Sequence, residues 1–175
     1  MSRGTGRELM VVGVEPGQTE IKTAEAFSGP AGKRLIEWLT RADVGNSRAA
    51  IMERSHMTSL CKCYVENKRL VPKAASNCFP FLKAQIELIN PRVLVTLGAE
   101  PLHFFTNPDA LLESCVGHIW QERDFGTLFP ILPESCQIVP LPHPSPRSTW
   151  LNEQGHRDLL AKALEALAAT LRGPN

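Results

Sequence analysis

Short apolar runs alternate with amphipathic segments along most of the chain, and this alternation limits the fold more than any other feature. Four runs predict buried strands: Leu9–Val14, His56–Cys61, Val93–Leu97 and Gln137–Leu141. Four segments predict helices: Gly32–Val44, Asn77–Ile89, Ala99–Phe105 and a closing helix from Asn152. Strands that alternate with helices favour an α/β three-layer sandwich with a mostly parallel central sheet.

Two segments carry no helical period. Tyr64–Ser76 is polar, basic and contains proline, so we expect an exposed connection there, with Asn77 capping the helix that follows. Val116–Ile131 alternates apolar and polar residues around Gly126, which predicts an irregular strand pair.

Composition is that of a globular protein. The 175 residues are 43% hydrophobic and 21% charged, without a run of about 18 apolar residues. We therefore expect one domain over residues 1–175 and no membrane partner. The apolar stretch near the N-terminus is too short for a secretory signal, which predicts a cytoplasmic protein. The net charge of +1 means that local patches would have to hold any anionic partner.

Two loops are predicted to carry chemistry. One runs from Gly13 to Gly17 after the first strand, and the other from His143 to Ser148 after the last strand. Loops that leave the carboxyl ends of parallel strands gather at one edge of the sheet, where ligands bind. The two loops should therefore meet although they are far apart in sequence.

These loops resemble two motifs of the uracil-DNA glycosylase superfamily. Residues Gly13–Gly32, GVEPGQTEIKTAEAFSGPAG, follow without a gap the first motif of its thermostable iron–sulfur branch, family four. His143-Pro144-Ser145 is similar to the second motif. The segments Cys63–Phe81 and Ile86–Gly98 are similar to the sequence between the motifs, so the resemblance covers most of the chain.

The resemblance implies an enzyme of DNA base-excision repair. Such an enzyme hydrolyses the N-glycosidic bond of deoxyuridine, releases uracil and leaves an abasic site. The expected partner is uracil-containing DNA, the expected state is a monomer, and no obligate protein partner is implied. A second hypothesis remains open, namely a catalytically weakened protein that binds uracil-containing or single-stranded DNA without turnover.

The resemblance also implies catalytic residues. His143 would donate a hydrogen bond to the leaving uracil, and Glu15 would orient water and oppose the positive charge on the sugar. Family four places its carboxylate one residue earlier, where this chain has Val14. Glu20 would be the second acid, or alternatively a surface residue.

The base-binding residues follow from the same comparison. Phe27 matches the phenylalanine that stacks on the flipped base, although core packing is the alternative. Ser59 stands where an asparagine usually reads the uracil edge, and Gly17 stands where the most stringent branch has a tyrosine. Together with Gly13 and Pro16 these residues form the predicted base site, and excision of other deaminated bases is an open hypothesis.

The second loop is the predicted contact with DNA. Arg147 lies where the superfamily supplies a wedge for the space left by the flipped base, and its charge also suits phosphate. Ser145, Pro146 and Ser148 lie beside it, and Lys62 would extend the same rim.

Five cysteines raise the question of a cofactor. The family-four iron–sulfur cluster uses four thiolates, of which Cys63 and Cys78 match two. Cys61 could be a third ligand, and Cys115 or Cys136 could approach. We expect neither a cofactor nor a metal site. A phosphate-binding loop at Gly32-Lys33 lacks the first glycine and the Ser/Thr of that motif, and Val65–Ser76 lacks the histidine that traps the sugar covalently in one branch.

Overall fold

The computed structural model describes residues 8–125 and 131–173. Its sheet has four parallel strands in the order β2-β1-β3-β4. The strands are β1 (Leu9–Gly13), β2 (Ser55–Ser59), β3 (Val93–Leu97) and β4 (Gln137–Leu141). The predicted parallel sheet is confirmed, β3 and β4 have the predicted bounds, and β2 begins and ends earlier than expected.

Side chains of β1 alternate between two apolar cores. Leu9 and Val11 pack in one core together with Leu35 and Leu164. Met10 and Val12 pack in a second core on the opposite face of the sheet. Because successive residues of a strand point to opposite faces, these two cores define three layers, helices covering both faces of the sheet. The predicted α/β sandwich is thus confirmed.

Seven helices are described: α1 (Gln18–Thr23), α2 (Pro30–Arg41), α3 (Arg48–Arg54), α4 (Val71–Ile89), α5 (Ala99–Phe105), α6 (Leu112–Cys115) and α7 (Gln154–Arg172). Short 3-10 turns occupy Lys68–Leu70, Glu122–Phe125 and Trp150–Asn152. The prediction for α5 is confirmed. No helix in the described parts of the chain is long and apolar enough to cross a membrane.

Helix α4 corrects the prediction of an exposed connection over Tyr64–Ser76. The helix begins at Val71, so Asn77 lies inside it and does not cap it. Pro72 is tolerated because it falls in the first turn, where the missing N–H has no helical partner. Val71 and Ala75 are buried, and packing of this face outweighs the polar composition of the segment. The predicted end is right, since Asn90 closes the helix in a left-handed conformation.

The strand pair predicted over Val116–Ile131 is wrong for its described part. Trp120 makes a single antiparallel bridge to Ile138, and Glu122–Phe125 is a 3-10 turn. The carboxylate of Glu122 accepts hydrogen bonds from the backbone N–H groups of Ile131 and Leu132, so a side chain binds this backbone in place of a strand partner. Residues 126–130 of the prediction lie outside the described residues.

The sequence did not predict helices α1 and α3, because each is short. Helix α3 buries Ile51 alone, and its start is signalled only by Ser47, whose hydroxyl accepts a hydrogen bond from the Ala50 N–H at 3.2 Å. Helix α1 follows the loop after β1, whereas α3 leads directly into the start of β2.

Gly32 allows the closest approach of two segments in this region. A Cβ on Gly32 would lie 1.8 Å from the carbonyl oxygen of Phe27, a contact that no side chain can make without moving the backbone. Helix α2 therefore starts directly against the loop that carries Phe27.

We expect Gly32→Ala to lower the free energy of unfolding by roughly 3 kcal/mol or more, because the added methyl group meets backbone and not a flexible side chain. Urea unfolding followed by circular dichroism measures this. Gly155→Ala in α7 is the matched control, since nothing lies within 4 Å of a Cβ there. Equal stability of the two variants would contradict the packing of Phe27 on α2.

Candidate active site

An open cleft of about 1570 Å³ lies at the carboxyl ends of all four strands. The loop after β1 contributes Glu15–Gly17, the end of β2 contributes Ser59, β3 is followed by Gly98, and the loop after β4 contributes His143. In the order β2-β1-β3-β4 the chain changes direction between β1 and β3, which is where α/β sheets bind ligands.

Most residues of the predicted site line this one cleft: Glu15, Pro16, Gly17, Glu20, Phe27, Ser59, Lys62, His143, Ser145, Pro146, Arg147 and Ser148. Gly13 lies behind the Phe27 ring, where a Cβ would be 3.4 Å from Phe27 Cζ. The two loops therefore meet as expected, whereas the roles of these residues stay predictions.

His143 is held as a hydrogen-bond donor. The backbone N–H of Ser145 donates to His143 Nδ1 at 3.1 Å, so in the neutral ring the proton lies on Nε2. Burial lowers the pKa of His143, and Glu100 opposes this only in part. Gly98 has φ +91°, and a Cβ there would lie 3.2 Å from the His143 Cβ. This glycine gives the imidazole its room beside β3.

The carboxylate of Glu15 is held in place by contacts with the chain segment that follows Cys63. One carboxylate oxygen accepts a hydrogen bond from the Val65 N–H at 2.9 Å, and the other pairs with the Lys68 ammonium. Lys68 also donates to the Val65 carbonyl and lies 4.3 Å above the Tyr64 ring centroid. The side chain of Glu15 is only 13% exposed, so the carboxylate has a defined position in the cleft wall.

Glu20 connects the first loop to helix α2. Its carboxylate accepts a hydrogen bond from the Gly29 N–H at 2.8 Å, at the N-terminus of that helix. A Cβ on Gly17 would lie 2.6 Å from the other carboxylate oxygen, so a side chain at this position would displace the Glu20 carboxylate. The observed contacts of Glu20 organise the loop, and the second acidic role remains a prediction.

Phe27 is half-buried in the cleft wall with a left-handed backbone, φ +51°. This conformation costs a residue with a side chain about 1–2 kcal/mol, so neighbouring contacts must hold it. The guanidinium of Arg48 donates to the Phe27 carbonyl at 2.9 Å. The aromatic ring lies against Gly13 at the end of β1, and Gly13 is the register partner of Ser59 in β2.

Ser59 is placed to act as a hydrogen-bond acceptor in the cleft. Its hydroxyl donates to the Cys61 carbonyl at 2.6 Å, which leaves the oxygen free to accept. The Lys62 ammonium donates to Thr58 Oγ1, to the Ser59 carbonyl and to Gln85 Oε1 at 2.7, 2.6 and 2.9 Å. Burial lowers the pKa of Lys62 to about 8. These contacts hold the ammonium beside the end of β2, and the predicted DNA contact of Lys62, which lines the cleft, stays a prediction.

The loop after β4 forms a turn whose exposed tip is Arg147. The Ser148 N–H donates to the Ser145 carbonyl at 3.0 Å, and the Arg147 N–H donates to the Ser145 hydroxyl at 3.2 Å. Arg34 from α2 donates to the same Ser145 carbonyl at 3.2 Å. The loop is thus tied to the first half of the chain, while the Arg147 side chain faces outward at the rim.

Sequence reasoning missed Arg34, Arg48 and Gln85. Each contacts a site segment that lies 111, 21 and 23 residues away in sequence, respectively, at Ser145, Phe27 and Lys62. Neither residue type nor spacing marks such contacts, because the fold alone brings the partners together.

The positions of the cysteines bear on the question of an iron–sulfur cluster, and the prediction that the protein has no cofactor stays a prediction. Cys63 is exposed, and Cys78 accepts a hydrogen bond from the Lys62 N–H at 3.3 Å. Burial raises the pKa of the Cys61 thiol to about 11 and that of the Cys136 thiol to about 12. Within residues 8–125 and 131–173, no three His, Cys, Asp or Glu side chains are placed to hold a metal ion.

Taken together, these features define an α/β protein with a cleft built from the loops at the strand ends. The family model described as "Uracil DNA glycosylase superfamily" matches residues 4–168. The chain belongs to this superfamily, as its motifs indicated.

Curated relatives are similar over part of their length. A Type-4 uracil-DNA glycosylase of Thermotoga maritima is 38% identical over 100 residues, 57% of this chain and 49% of the relative. The Type-4 uracil-DNA glycosylase of Archaeoglobus fulgidus is 37% identical over 57% of this chain and 48% of its own length. The matches thus span about half the length of these relatives. A DNA polymerase of Bacillus phage SP01 is 26% identical over 94% of this chain and 16% of the polymerase.

We expect Lys68→Met to change the free energy of unfolding by less than about 1 kcal/mol, because the Lys68 side chain is 58% exposed. Glu15→Ala should cost more, roughly 1–3 kcal/mol, because the Val65 N–H loses its acceptor. Urea unfolding of both variants beside the parent measures the difference. A larger loss in Lys68→Met would contradict this description of the Glu15 contacts.

Proposed function

We propose that this chain removes uracil from DNA by hydrolysing the N-glycosidic bond, which leaves an abasic site. The observation that carries the proposal is the fixed orientation of His143. Its Nδ1 accepts the Ser145 N–H, so Nε2 presents a proton to the cleft that also contains Glu15 and Phe27. A donor aimed at a developing anion is what departure of a nucleobase requires.

Membership of the superfamily and the names of the relatives support this activity. Two relatives that match half of this chain or more are named Type-4 uracil-DNA glycosylases. The relative that matches 94% of this chain is named a DNA polymerase. All three names denote proteins that act on DNA, which supports uracil-containing DNA as the substrate.

The first step in this proposal is extrusion of the deoxyuridine into the cleft, because the glycosidic bond of a stacked base is out of reach. The Phe27 ring would stack on the extruded base. Arg147 would occupy the space that the base leaves, and Ser145 and Ser148 would bind adjacent phosphates. The rim position of Arg147 and the turn that holds both serines support these assignments.

Bond cleavage moves the electron pair of the N-glycosidic bond onto uracil. His143 Nε2–H would donate to the uracil O2, where negative charge accumulates. The sugar becomes an oxocarbenium ion, and Glu15 would stabilise its positive charge and orient the water that adds to C1′. The proton lost by that water passes to the carboxylate or to solvent. Uracil departs as the N1 anion, stabilised by the hydrogen bond from His143, and then takes up a proton from solvent.

The proposed chemistry needs only protein groups and water. Neither Cys63 nor Cys78 takes part in a step. Their place in the mechanism would be structural, beside Lys62 and the segment that fastens Glu15.

Base selection would rest on Ser59. An asparagine amide accepts a hydrogen bond from the uracil N3–H and donates one to O4. The Ser59 hydroxyl already donates its hydrogen bond to the Cys61 carbonyl, so it can only accept one from the base. A base with a ring N–H would therefore be accepted, and cytosine, whose N3 carries no proton, would be rejected. This supports activity on other deaminated bases such as hypoxanthine.

Binding without turnover is the alternative function, and the contacts of Glu15 favour it. Both carboxylate oxygens already hold donors, Val65 N–H and the Lys68 ammonium, which reduces their power to attract a proton from water. If this effect dominates, the protein would recognise uracil-containing DNA without cleaving it.

Glu15→Gln and His143→Ala should each lower single-turnover uracil release by about a hundredfold or more, the usual range for a lost general base or anion-stabilising donor. Labelled single-stranded and duplex oligonucleotides, followed by alkaline cleavage, measure this. His118→Ala, an exposed histidine outside the cleft, is the matched control. Binding of the oligonucleotide by the parent without any cleavage would support the alternative function.

The acid limb of activity should lie below the ordinary histidine range. Because the pKa of His143 is lowered from 6.5, the ring stays neutral at that pH and gains its second proton, on Nδ1, only at lower pH. That proton breaks the Ser145 contact. The midpoint of the fall in activity should thus lie below pH 6.5. A pH series of kcat/KM measures this, and an acid midpoint above 6.5 would contradict the neutral donor.

A further inference from the structure

Arg48 lies outside the cleft, yet its guanidinium holds the loop that forms one cleft wall. It is the first residue of α3, directly after the capping residue Ser47. Its side chain is about one-third exposed and reaches back across the chain to residues 25–27. Nothing in the motifs of the sequence singles it out.

The guanidinium makes four contacts with three consecutive residues. Nη1 donates to the Phe27 carbonyl at 2.9 Å and Nη2 to the Ala26 carbonyl at 2.7 Å. Nε and Nη2 donate to the Glu25 carboxylate at 3.3 and 3.2 Å. The planar fork of arginine can reach two carbonyls and a carboxylate together, which a lysine ammonium on its flexible stem cannot match.

The Phe27 peptide is confined from two sides. Its left-handed backbone, φ +51°, is one that residues with a side chain seldom adopt. Arg48 binds the Phe27 carbonyl oxygen, and the absence of a side chain at Gly32 leaves room for that same oxygen against α2. The backbone conformation sets the direction of the Phe27 Cα–Cβ bond, and the ring lies against Gly13 in the cleft.

We propose that Arg48 is a positioning residue for base binding: by fixing the Ala26 and Phe27 carbonyls it keeps the Phe27 ring ready to stack on the extruded base. The inference rests on the proposed function and extends it to a residue that touches neither base nor sugar. A ring that is already ordered before binding loses less conformational entropy when the base arrives.

The test compares Arg48→Met, Arg48→Lys, Phe27→Ala and the double variant Arg48→Met/Phe27→Ala. Arg54→Met is the matched control, because Arg54 lies on the same helix and also binds a backbone carbonyl, that of Val44 at 2.9 Å. Single-turnover uracil release at varied enzyme concentration separates the half-saturating concentration from the maximal rate. Thermal unfolding of every variant is recorded beside it.

Arg48→Met should raise the half-saturating concentration roughly tenfold to a hundredfold, the range for loss of one base-stacking contact, with a smaller effect on the maximal rate. Arg48→Lys should recover part of this loss, and Arg54→Met should match the parent. In the Phe27→Ala background, Arg48→Met should have almost no further effect on the half-saturating concentration, because the ring that Arg48 positions is already absent.

Two results would overturn the proposal. One is an equal loss from Arg48→Met with and without Phe27, which would show that Arg48 does not act through the ring. The other is an Arg54→Met variant as impaired as Arg48→Met, which would show a general effect of α3 on stability.

A separate measurement keeps this inference distinguishable from the proposed function. Amide hydrogen exchange of residues 24–29 needs no catalysis, and it should quicken in Arg48→Met but not in Arg54→Met. If the parent releases no uracil, the proposed function fails, and affinity for a uracil-containing oligonucleotide replaces the kinetic comparison. Unchanged exchange and unchanged affinity in Arg48→Met would then overturn the positioning role.

Discussion

Burial of a parallel sheet on both faces is the constraint on which the rest of the structure depends. Residues of β1 alternate between two cores, so helices must cover each face and every crossover returns the chain to the same end of the sheet. The carboxyl ends of all four strands therefore lie along one edge. His143 and Glu15, which are 128 residues apart in sequence, share a cleft for this reason.

Within the cleft, neighbouring backbone groups fix which hydrogen-bonding role each polar side chain can play. The Ser145 N–H makes His143 a donor at Nε2, and the Cys61 carbonyl makes Ser59 an acceptor. The Val65 N–H holds one oxygen of Glu15. Orientation of this kind precedes substrate binding, so little reorganisation is needed when charge develops.

The segment that carries Cys61 and Cys63 is joined to the cleft through its other residues. Cys63 and Cys78 match ligand positions of the iron–sulfur branch, yet the described residues do not complete a ligand set. The same segment supplies Val65 and Lys68 to Glu15, and Lys62 to the end of β2. Hydrogen bonds and one ion pair thus connect this segment to the cleft.

The strands, the loop motifs and the family were determined by sequence alone, because continuous apolar runs and ordered motifs are local patterns: β3 and β4 have their predicted bounds. The sequence did not predict the start of α4, because the burial of Val71 and Ala75 outweighs the polar composition of that segment. Only the tertiary structure decided that Arg48 binds Phe27 and that Lys62 binds Gln85. Hydrogen bonds between distant segments depend on where the fold places each backbone carbonyl, and this position cannot be predicted from the residue type.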